Sequence, residues 1–355
     1  MNHDYLIVGA GVIGLSCALE LVQQGAKVTV LERGLSASES SWAGRGILSP
    51  LCPWDYPPEV TRLTNRAAAQ YSTWIADLHS ATGIDPEYVL SGMLVLPPFD
   101  SNAAQQWCTA HGMAILQVNG ADKLVAGEGL ALLLPGVAQV RNPRLIQALR
   151  QRVEMLGGRI VEHCEIQSIK ADVGQVRHLV TSHGHFSADR YIVTAGAWSK
   201  QVLGEHALQL DIKPIRGQML LFKFDTPPLQ HILLQDGMYL IPRRDGHLLV
   251  GSTLEDVGFD KSTTVEARDS LWRRAQLLLP ALRDMPLKQH WAGLRPASPH
   301  NIPTIGRHPQ LENLYINSGH FRYGVTMAPV SAAILLNELN GTEQPFDVSP
   351  YSMKK

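Results

Sequence analysis

The chain has 355 residues, more than one hydrophobic core usually organises, which predicts about two domains or one large α/β domain with an insert. With 45% hydrophobic and 18% charged residues, 30 glycines and 22 prolines, the composition indicates a packed globular protein and excludes a disordered or coiled-coil one. A formal net charge of −1 gives no positive field for a nucleic acid backbone or an anionic membrane, so a small-molecule partner is expected.

The first segment has the pattern of a strand–helix–strand unit. Residues 5–8 are a continuous apolar run, as in a buried parallel strand. Apolar positions then recur at helical spacing over 12–23, and Gly25 is expected to end that helix. Alternation over 27–31 predicts a second strand, so the chain opens with one βαβ unit.

Beyond this unit the chain alternates between two kinds of segment. A stretch rich in Ser, Gly and Pro at 36–58 predicts a functional loop that leads into a helix at 59–82. Residues 86–140 and 210–288 lack the βαβ rhythm and predict a second domain, interleaved with the first. The remaining predicted elements are strands at 92–96, 159–170, 176–183, 190–194, 218–222, 238–241 and 247–251, helices at 102–111, 142–156 and 265–279, and a strand, glycine-rich turn and helix over 314–339.

Cysteine spacing and apolar run length bear on the compartment. The four cysteines lie far apart without a C-x-x-C pair, which argues against a zinc site or a redox dithiol, and no metal site is expected. The N-terminus lacks the features of a signal peptide. The longest apolar stretch, 325–336, is broken by Pro329 and is shorter than the roughly 20 residues of a membrane span. We expect reduced thiols, a cytoplasmic location and no membrane span.

A dinucleotide-binding fingerprint follows the first predicted strand. Gly9, Gly11 and Gly14 form a G-x-G-x-x-G motif between that strand and the helix, and Glu32 closes the second strand 18 residues later. The glycines permit a tight turn, close approach of a pyrophosphate and close helix–strand packing, while Glu32 is placed to accept hydrogen bonds from a ribose. The motif alone leaves FAD and NAD open.

Later motifs favour a flavin. The chain leaves the first domain, returns with TAGAWS at 194–199, and returns again with GHFRYG at 319–324. With these motifs the sequence resembles the flavin-dependent amine and amino acid oxidases of the D-amino acid oxidase family, and within it the glycine oxidase (ThiO) type, over essentially the whole chain. The strongest carriers are the fingerprint, WAGRGIL at 42–48, YLIPR at 239–243, WAGLRP at 291–296 and IPTIGR at 302–307.

The resemblance implies an α/β fold with an α+β insert, in which a Rossmann-like FAD-binding domain is interleaved with an antiparallel-sheet substrate domain. The expected FAD-binding domain comprises 1–85, 141–209 and 289–345. The expected substrate domain comprises 86–140 and 210–288, and 346–355 form a C-terminal tail.

The resemblance also assigns cofactor roles to individual residues. It places Gly9, Gly11, Val12, Ile13 and Gly14 at the pyrophosphate turn, Glu32 and Arg33 at the adenosine ribose, Ser40 and Ser41 at phosphate or ribitol oxygens, Arg45, Gly46 and Ile47 against the isoalloxazine, Ile166 at the adenine, and His320, Phe321, Arg322, Tyr323, Gly324, Val325 and Thr326 around the flavin pyrimidine. Simple core packing explains Ile166 equally well.

Two departures from the family pattern matter. The monomeric sarcosine oxidases of the family tether the flavin through a cysteine in their C-terminal third, whereas this chain has none after Cys164, so non-covalent FAD is expected. Arg45 stands where the glycine oxidase pattern usually has a small residue.

Arg295 is the candidate substrate-binding residue. It stands in an apolar stretch where an unpaired guanidinium is costly to desolvate, so it needs an anionic partner, either a substrate carboxylate or a structural acidic residue. The resemblance implies that Arg295 binds the substrate carboxylate and that Tyr239 closes the pocket. The alternative for Tyr239 is an ordinary aromatic residue of a strand. Arg322 is assigned to substrate or cofactor, the two being left open. No acid or base stands out, and hydride transfer requires none.

The function implied is FAD-dependent oxidation of glycine and other small amines or D-amino acids. Glycine, O2 and water would give glyoxylate, ammonia and H2O2 by hydride transfer from Cα to flavin N5, with imine supplied to the thiazole of thiamin. The alternative within the class is a D-amino acid or sarcosine-type dehydrogenase with a quinone acceptor. Two alternatives lie outside the oxidase class: a flavoprotein subunit that serves to assemble a complex, and an NAD-binding regulator. The expected partners are a small amine and O2, without nucleic acid, in a homo-oligomer.

Overall fold

The computed structural model describes residues 4–119 and 130–354. In chain order, its first half contains β1 Asp4–Val8, α1 Val12–Gln23, β2 Lys27–Leu31, α2 Ser40–Ala43, α3 Pro58–Thr82, β3 Met93–Val95, α4 Ser101–Ala110, β4 Leu116–Asn119, β5 Leu130–Leu134, α5 Asn142–Met155, β6 Arg159–Val161, β7 Ile166–Asp172 and β8 Gln175–Thr181. The second half contains β9 Gly184–Phe186, β10 Arg190–Val193, α6 Ser199–Leu203, β11 Lys213–Lys223, β12 Ile232–Gln235, β13 Met238–Pro242, β14 His247–Gly251, α7 Val265–Leu278, β15 Gln289–Ala297, β16 Thr304–Arg307, β17 Leu314–Ser318 and α8 Gly324–Asn340.

A six-stranded sheet forms the first structural unit, in the order β16-β17-β10-β1-β2-β6. The strands from β17 to β6 are parallel, and only the edge strand β16 runs antiparallel to its neighbour. Helices α1, α3, α5 and α8 cover one face, where their apolar side chains form a continuous core with β1, β2 and β10. The small sheet β7-β8-β9 covers the other face. The carboxyl ends of β1, β10 and β17 therefore meet at one edge, where α1 and α8 begin.

An eight-stranded sheet forms the second unit, in the order β15-β11-β14-β13-β12-β3-β5-β4. Side chains alternate between its faces: Leu240 packs toward α7, while Tyr239 and Ile241 point to the opposite face, which packs against Ile47. The sheet is antiparallel except for the pair β12–β3, whose strands run parallel. These two strands come from separate passes of the chain, so no hairpin constrains their relative direction.

The sequence located the longer helices and most strands of the first sheet, but strands β4, β5, β9, β12, β15 and β16 were not predicted. Three further differences concern boundaries and sheet membership. The predicted single strand at 159–170 is two strands, because the chain turns at 162–165, where His163 has a φ of 57°. The predicted loop at 36–58 contains the short helix α2. Strand β15 pairs along its length with β11, although residues 289–297 were expected in the nucleotide-binding domain. We keep the division into two domains as a proposal, with β15 assigned to the second sheet by its hydrogen bonds.

The α/β fold with an interleaved second sheet is confirmed. Within residues 4–119 and 130–354, none of the helices combines the length and apolar character needed to cross a membrane.

Candidate functional site

A long cleft joins the two large sheets. Its empty volume is about 1610 Å³, part of it open to solvent. One end lies at the carboxyl edge of the parallel sheet, and the other reaches β11, β13 and β15 of the second sheet.

The fingerprint glycines give close packing at the first end. Gly9 has a φ of 108°, and a Cβ there would lie 2.7 Å from the carbonyl oxygen of Thr194. A Cβ on Gly14 would lie 1.9 Å from the carbonyl oxygen of Gly9, so only glycine lets α1 pack this closely on the turn. Gly11 leads into α1 in extended conformation, at the place where the fingerprint predicts a pyrophosphate.

The N-terminus of α1 faces the cleft. The Val12 amide donates to the hydroxyl of Ser41 at 2.9 Å, and a Cβ on Gly11 would lie 3.1 Å from the same oxygen. The Ser41 hydroxyl thus marks where an anion's oxygen would be bound. Since helix N-termini stabilise phosphates, the geometry fits a dinucleotide pyrophosphate at this point.

Glu32 and Arg33 lie beside the fingerprint. The Glu32 carboxylate accepts from the Ala10 amide at 2.8 Å and from the Gly34 amide at 3.1 Å, which fixes it at the cleft wall with acceptor capacity remaining for a ribose. The Arg33 guanidinium lies 3.6 Å from the ring centre of Trp198 and pairs with Glu39 at 2.7 Å. Ile166 at the start of β7 lines the same end of the cleft.

Helix α2 connects the two sheets. The Ser40 hydroxyl donates to the Leu294 carbonyl, and the Trp291 indole donates to the Ala43 carbonyl at 3.3 Å. A Cβ on Gly293 would lie 2.6 Å from the Cβ of Ala43, so glycine is needed where α2 meets β15. Ser40 is therefore engaged with the second sheet as well as lining the cleft.

The turn before α8 closes the middle of the cleft. His320, Phe321, Arg322, Gly324 and Val325 line it. Burial lowers the pKa of His320 to about 3, so its imidazole is neutral at neutral pH, and its Nε2 lies 2.9 Å from the Ser331 hydroxyl. The N-terminus of α8 thus carries its positive partial charge at this wall.

Arg295 lies at the second end of the cleft. Its Nη2 donates to the Ser252 hydroxyl at 2.6 Å and its Nη1 to the Thr253 carbonyl at 3.1 Å. No carboxylate of the described residues lies within 4.0 Å of its guanidinium. Desolvation lowers the pKa of Arg295 to about 10, and the positive charges of Arg322 and Arg45 act in the same direction while Tyr239 acts against it. The guanidinium is therefore still charged at neutral pH. The geometry leaves the guanidinium available to an anion.

Tyr239 lies between Arg295 and Arg45. Its side chain is buried on β13, with its hydroxyl 3.9 Å from the sulfur of Met219. A Cβ on the neighbouring Gly251 would lie 2.9 Å from the ring, so glycine provides the room for this tyrosine. The Arg45 guanidinium lies 5.5 Å from the Tyr239 ring centre, which places a second positive charge at this end.

The structure brings most of the predicted residues to one cleft. The exceptions among them, which do not line it, are Gly14, Tyr323 and Thr326. Gly14 acts through packing, as its missing Cβ shows, and the Thr326 hydroxyl donates to the Ile47 carbonyl at 3.2 Å. Tyr323 is buried against Tyr56, with ring centres 5.1 Å apart. These three residues support the walls, and the cofactor contacts of the predicted residues stay a prediction.

Sequence reasoning missed several lining residues. Among these are Asn142, Cys164, Glu165, Gly217, Met219, Asn317 and Ser318, while residues 194–198 were noted as a family motif but given no role in the site. Thr194 follows β10 and Ser318 ends β17, so their position at the carboxyl ends of parallel strands was a usable signal. Gly217 and Met219 lie within β11 and carry no local signal of a site.

The charge along the cleft is polarised. Its carboxylates, Glu32, Glu39 and Glu165, lie at the fingerprint end together with Arg33, which pairs with Glu39, whereas the cations Arg45, Arg295 and Arg322 lie from the middle of the cleft to the second sheet without a carboxylate beside them among the described residues. In the part of the chain that the structure describes, no cluster of His, Cys, Asp and Glu side chains is arranged to hold a metal ion.

A parallel sheet with a dinucleotide-binding fingerprint, facing a second sheet across one cleft, is typical of a class of two-domain oxidoreductases. Within that class the chain belongs to the DAO family of FAD-dependent oxidoreductases, whose model matches residues 4–337. The family, its FAD dependence and its oxidase class confirm the predictions from sequence.

Individual relatives extend the comparison. The chain is 42% identical to the glycine oxidase of Pseudomonas aeruginosa, with 99% of each chain covered. It is 34% identical to the bifunctional protein ThiO/ThiG of Synechocystis sp., and the match covers 94% of this chain but 51% of that protein. The crystal structure of glycine oxidase from Geobacillus kaustophilus superposes with a TM-score of 0.94 at 25% identity, covering 99% of this chain and 98% of that one.

Proposed function

We propose that the protein is an FAD-dependent oxidase of glycine and other small amino acids. One observation carries the proposal: the Arg295 guanidinium, without a carboxylate partner among the described residues, faces the cleft beside Tyr239 at the end opposite the dinucleotide fingerprint. The names of the similar proteins from Pseudomonas aeruginosa and Geobacillus kaustophilus support the same substrate.

Arg295 has the geometry of a carboxylate clamp. Ser252 and Thr253 hold its guanidinium from one side, which limits the rotation of a long side chain before substrate arrives. A planar guanidinium can then donate two parallel hydrogen bonds to a carboxylate, which fixes the orientation of the Cα–H bond as well as the position of the charge. The Tyr239 ring closes the pocket beside it.

The rest of the cleft fits FAD. Gly11 and the first amides of α1 would hold the pyrophosphate, Glu32 the ribose, and the N-terminus of α8 the flavin pyrimidine, where positive partial charge stabilises a developing negative charge. The chemistry that bound FAD supplies is the two-electron oxidation of the Cα–N bond.

The chain's own contribution is orientation rather than proton transfer. His320 is neutral and its Nε2 is engaged with Ser331, so it is not placed as a proton acceptor for substrate. The cleft's carboxylates lie at the other end. Substrate with a neutral amine needs no base for hydride departure, and the protein mainly holds the reacting atoms in line.

Finer aspects belong to the same proposal. The absence of a cysteine after Cys164 supports non-covalent FAD, and the four free thiols support a reducing compartment such as the cytoplasm. Oxygen is the proposed acceptor and a homo-oligomer the proposed assembly. The name of the ThiO/ThiG relative supports a role in thiamin synthesis, with imine or glyoxylate as the product passed on.

Arg295 variants test the proposal. Purified protein should release peroxide with glycine, and Arg295→Ala should lower kcat/KM by about thirtyfold to several thousandfold, since truncating one partner of a desolvated charge pair costs about 2 to 5 kcal/mol. Arg295→Lys should recover part of the loss, because an ammonium keeps the charge without the two parallel bonds. FAD content, read spectroscopically after acid release, should match wild type in both.

Arg322→Ala is the comparison, since a residue in the turn before α8 affects flavin binding as well as substrate. An Arg295→Ala enzyme within about threefold of wild type would show that the carboxylate is held elsewhere. If the flavin stays reduced for minutes in air-saturated buffer but a soluble quinone reoxidises it at once, the enzyme is a dehydrogenase instead.

A further inference from the structure

Arg45 holds a buried charge with no acceptor among the described residues. It is 6% exposed, and its Nε and Nη2 atoms have no hydrogen-bond partner. The guanidinium lies 5.5 Å from the ring centre of Tyr239 and 5.3 Å from that of Tyr323. Two aromatic faces replace only part of the hydration that a buried guanidinium loses, so the arrangement favours an anion that can accept its hydrogen bonds.

Neither part of FAD expected near this end of the cleft is that anion, because the isoalloxazine that the resemblance places against Arg45 is uncharged when oxidised and the predicted pyrophosphate site lies elsewhere. The pyrophosphate site lies at the N-terminus of α1, whereas Arg45 lies against Tyr239, the side chain that also neighbours Arg295. Arg45 and Arg295 therefore face the same small region. A monocarboxylate held by Arg295 occupies one of the two guanidiniums and leaves the other unpaired.

The backbone around Arg45 is fixed from outside the cleft. The buried Arg243 donates from Nη2 to the Arg45 carbonyl at 2.9 Å, and from Nη1 to the side chain of Gln139 at 2.7 Å. Gly46 has a φ of 73°, and a Cβ there would lie 2.1 Å from the Val140 carbonyl oxygen. These contacts hold Arg45 in place before a ligand binds, as expected of a binding residue rather than a mobile surface arginine.

We propose that Arg45 binds a second anionic group of the substrate, so that the enzyme prefers small amino acids carrying two carboxylates over those carrying one. The inference rests on the proposed function, since Arg295 takes the first carboxylate. For N-(carboxymethyl)glycine the balanced reaction is substrate plus O2 and H2O giving glyoxylate, glycine and H2O2: one C–H bond and one C–N bond break, and oxygen accepts the two electrons.

Two matched substrate pairs test the proposal, each differing by one carboxylate. N-(carboxymethyl)glycine is compared with sarcosine, where the second carboxylate is on the nitrogen substituent, and D-aspartate with D-alanine, where it is on the side chain. In at least one pair, wild-type kcat/KM should be about tenfold or more higher for the dicarboxylate, and the pair that shows it identifies where the anion is carried.

Arg45→Met keeps the length of the side chain and removes its charge. It should lower kcat/KM for the favoured dicarboxylate about tenfold or more beyond its effect on the monocarboxylate match, because only the dicarboxylate loses a charge pair. Arg45→Lys should restore part of the preference. Arg66→Met, an exposed arginine of α3 beside Phe346 and away from the cleft, is the control and should leave both rates unchanged.

Binding provides a readout independent of turnover. Glutarate, which matches the spacing of the two carboxylates in N-(carboxymethyl)glycine, should bind FAD-loaded wild type about tenfold or more tightly than butyrate by calorimetry, and Arg45→Met should abolish the difference. Equal preferences in wild type and Arg45→Met for both substrate pairs and for glutarate would overturn the proposal. A protein that binds glutarate through Arg45 but oxidises none of the four amines would contradict the proposed function and leave the second carboxylate site standing.

Discussion

Gly217 lies on β11, directly beneath the Arg295 guanidinium. A Cβ at this position would lie 2.1 Å from Nη2 of Arg295 and 2.2 Å from Nη1. The φ of Gly217 lies outside the positive range that favours glycine, and Gly217 pairs with another glycine, Gly293, on β15. The need for glycine at this position therefore comes from the arginine side chain and not from the backbone conformation.

Gly217→Ala should therefore displace the guanidinium without unfolding the sheet, since the end of an arginine side chain can move. A displacement of about 1 Å in a substrate-holding group can cost about a hundredfold in rate, so we expect kcat/KM for glycine to fall about ten- to a hundredfold. Steady-state kinetics with FAD occupancy and Tm measures both effects. Unchanged kinetics would mean that Arg295 does not act from the position seen here.

The residues differ in how far sequence predicts them. Arg295 stands out because a guanidinium in an apolar stretch needs a partner, and the structure leaves it free of carboxylates in the described part. Gly217 is invisible in sequence, because its role depends on a side chain 78 residues later that only strand pairing brings above it. Arg45 is predicted at the isoalloxazine by the resemblance and is also a departure from the family pattern, but only the structure shows that its buried guanidinium has no partner among the described residues.

At the scale of the element, the turn from β1 into α1 separates two functions of its glycines. A Cβ on Gly14 meets backbone, at 1.9 Å from the Gly9 carbonyl oxygen, whereas a Cβ on Gly11 meets only the Ser41 hydroxyl at 3.1 Å. A hydroxyl can rotate away, whereas backbone atoms cannot move as easily. Gly14 is therefore required for folding and Gly11 for binding the ligand.

Gly11→Val and Gly14→Ala should thus give different losses. Gly11→Val should abolish FAD binding, because the branched side chain fills the approach of the pyrophosphate, while the apoprotein keeps most of its stability. Gly14→Ala should lower the stability of the apoprotein itself by a few °C in Tm, at about 1 to 2 °C per kcal/mol for a chain of this size. FAD titration and thermal unfolding of both apoproteins separate the cases. Stoichiometric FAD in Gly11→Val would contradict the assignment.

Element boundaries follow from sequence where periodicity is strong. Helix α1 and strand β2 begin and end as predicted, because apolar spacing and a terminal glycine mark them. The break between β6 and β7 is not marked, since the turn residues 162–165 contain neither glycine nor proline and a histidine takes the positive φ. The parallel pairing of β12 with β3 depends on the path of the whole chain and has no local signature.

At the scale of the whole molecule, buried histidines make stability depend on pH. Burial lowers the pKa of His320 to about 3, and burial also lowers those of His290 and His308. Above about pH 6.5 these side chains are neutral in both states. As the pH falls below that value the unfolded chain binds protons that the folded chain does not, so stability is lost with falling pH, by at most about 1.4 kcal/mol per pH unit for each histidine.

His320→Gln should reduce this acid sensitivity without removing it, because His290 and His308 remain. Glutamine keeps a group that can hydrogen-bond Ser331. The measurement is the urea midpoint at pH 7.5 and pH 5.0 in excess FAD, with His183→Gln, an exposed histidine, as the control. The difference between the two midpoints should shrink in His320→Gln and stay constant in His183→Gln. An equal shrinkage in both would assign the pH dependence elsewhere.

The presence of two structural units was predictable from the alternation of composition along the chain, but the boundary between the units was not. Strand β15 carries Arg295 and contains the motif WAGLRP, and the sequence assigned it to the first domain together with the following motif IPTIGR. Composition gives no boundary here, because both sheets need apolar strands. Only the ladder with β11 decides which sheet the strand joins.

The order of strands in the six-stranded sheet has a consequence for synthesis. β1 is made first, but its neighbour β10 begins at Arg190, and β10 in turn waits for β17 at Leu314. On the ribosome, the nucleotide-binding sheet therefore stays incomplete until the last tenth or so of the chain emerges. Such long-range pairings fold slowly, and the apolar edge of the incomplete sheet is exposed meanwhile, which makes the nascent chain prone to aggregation before its last strand is made.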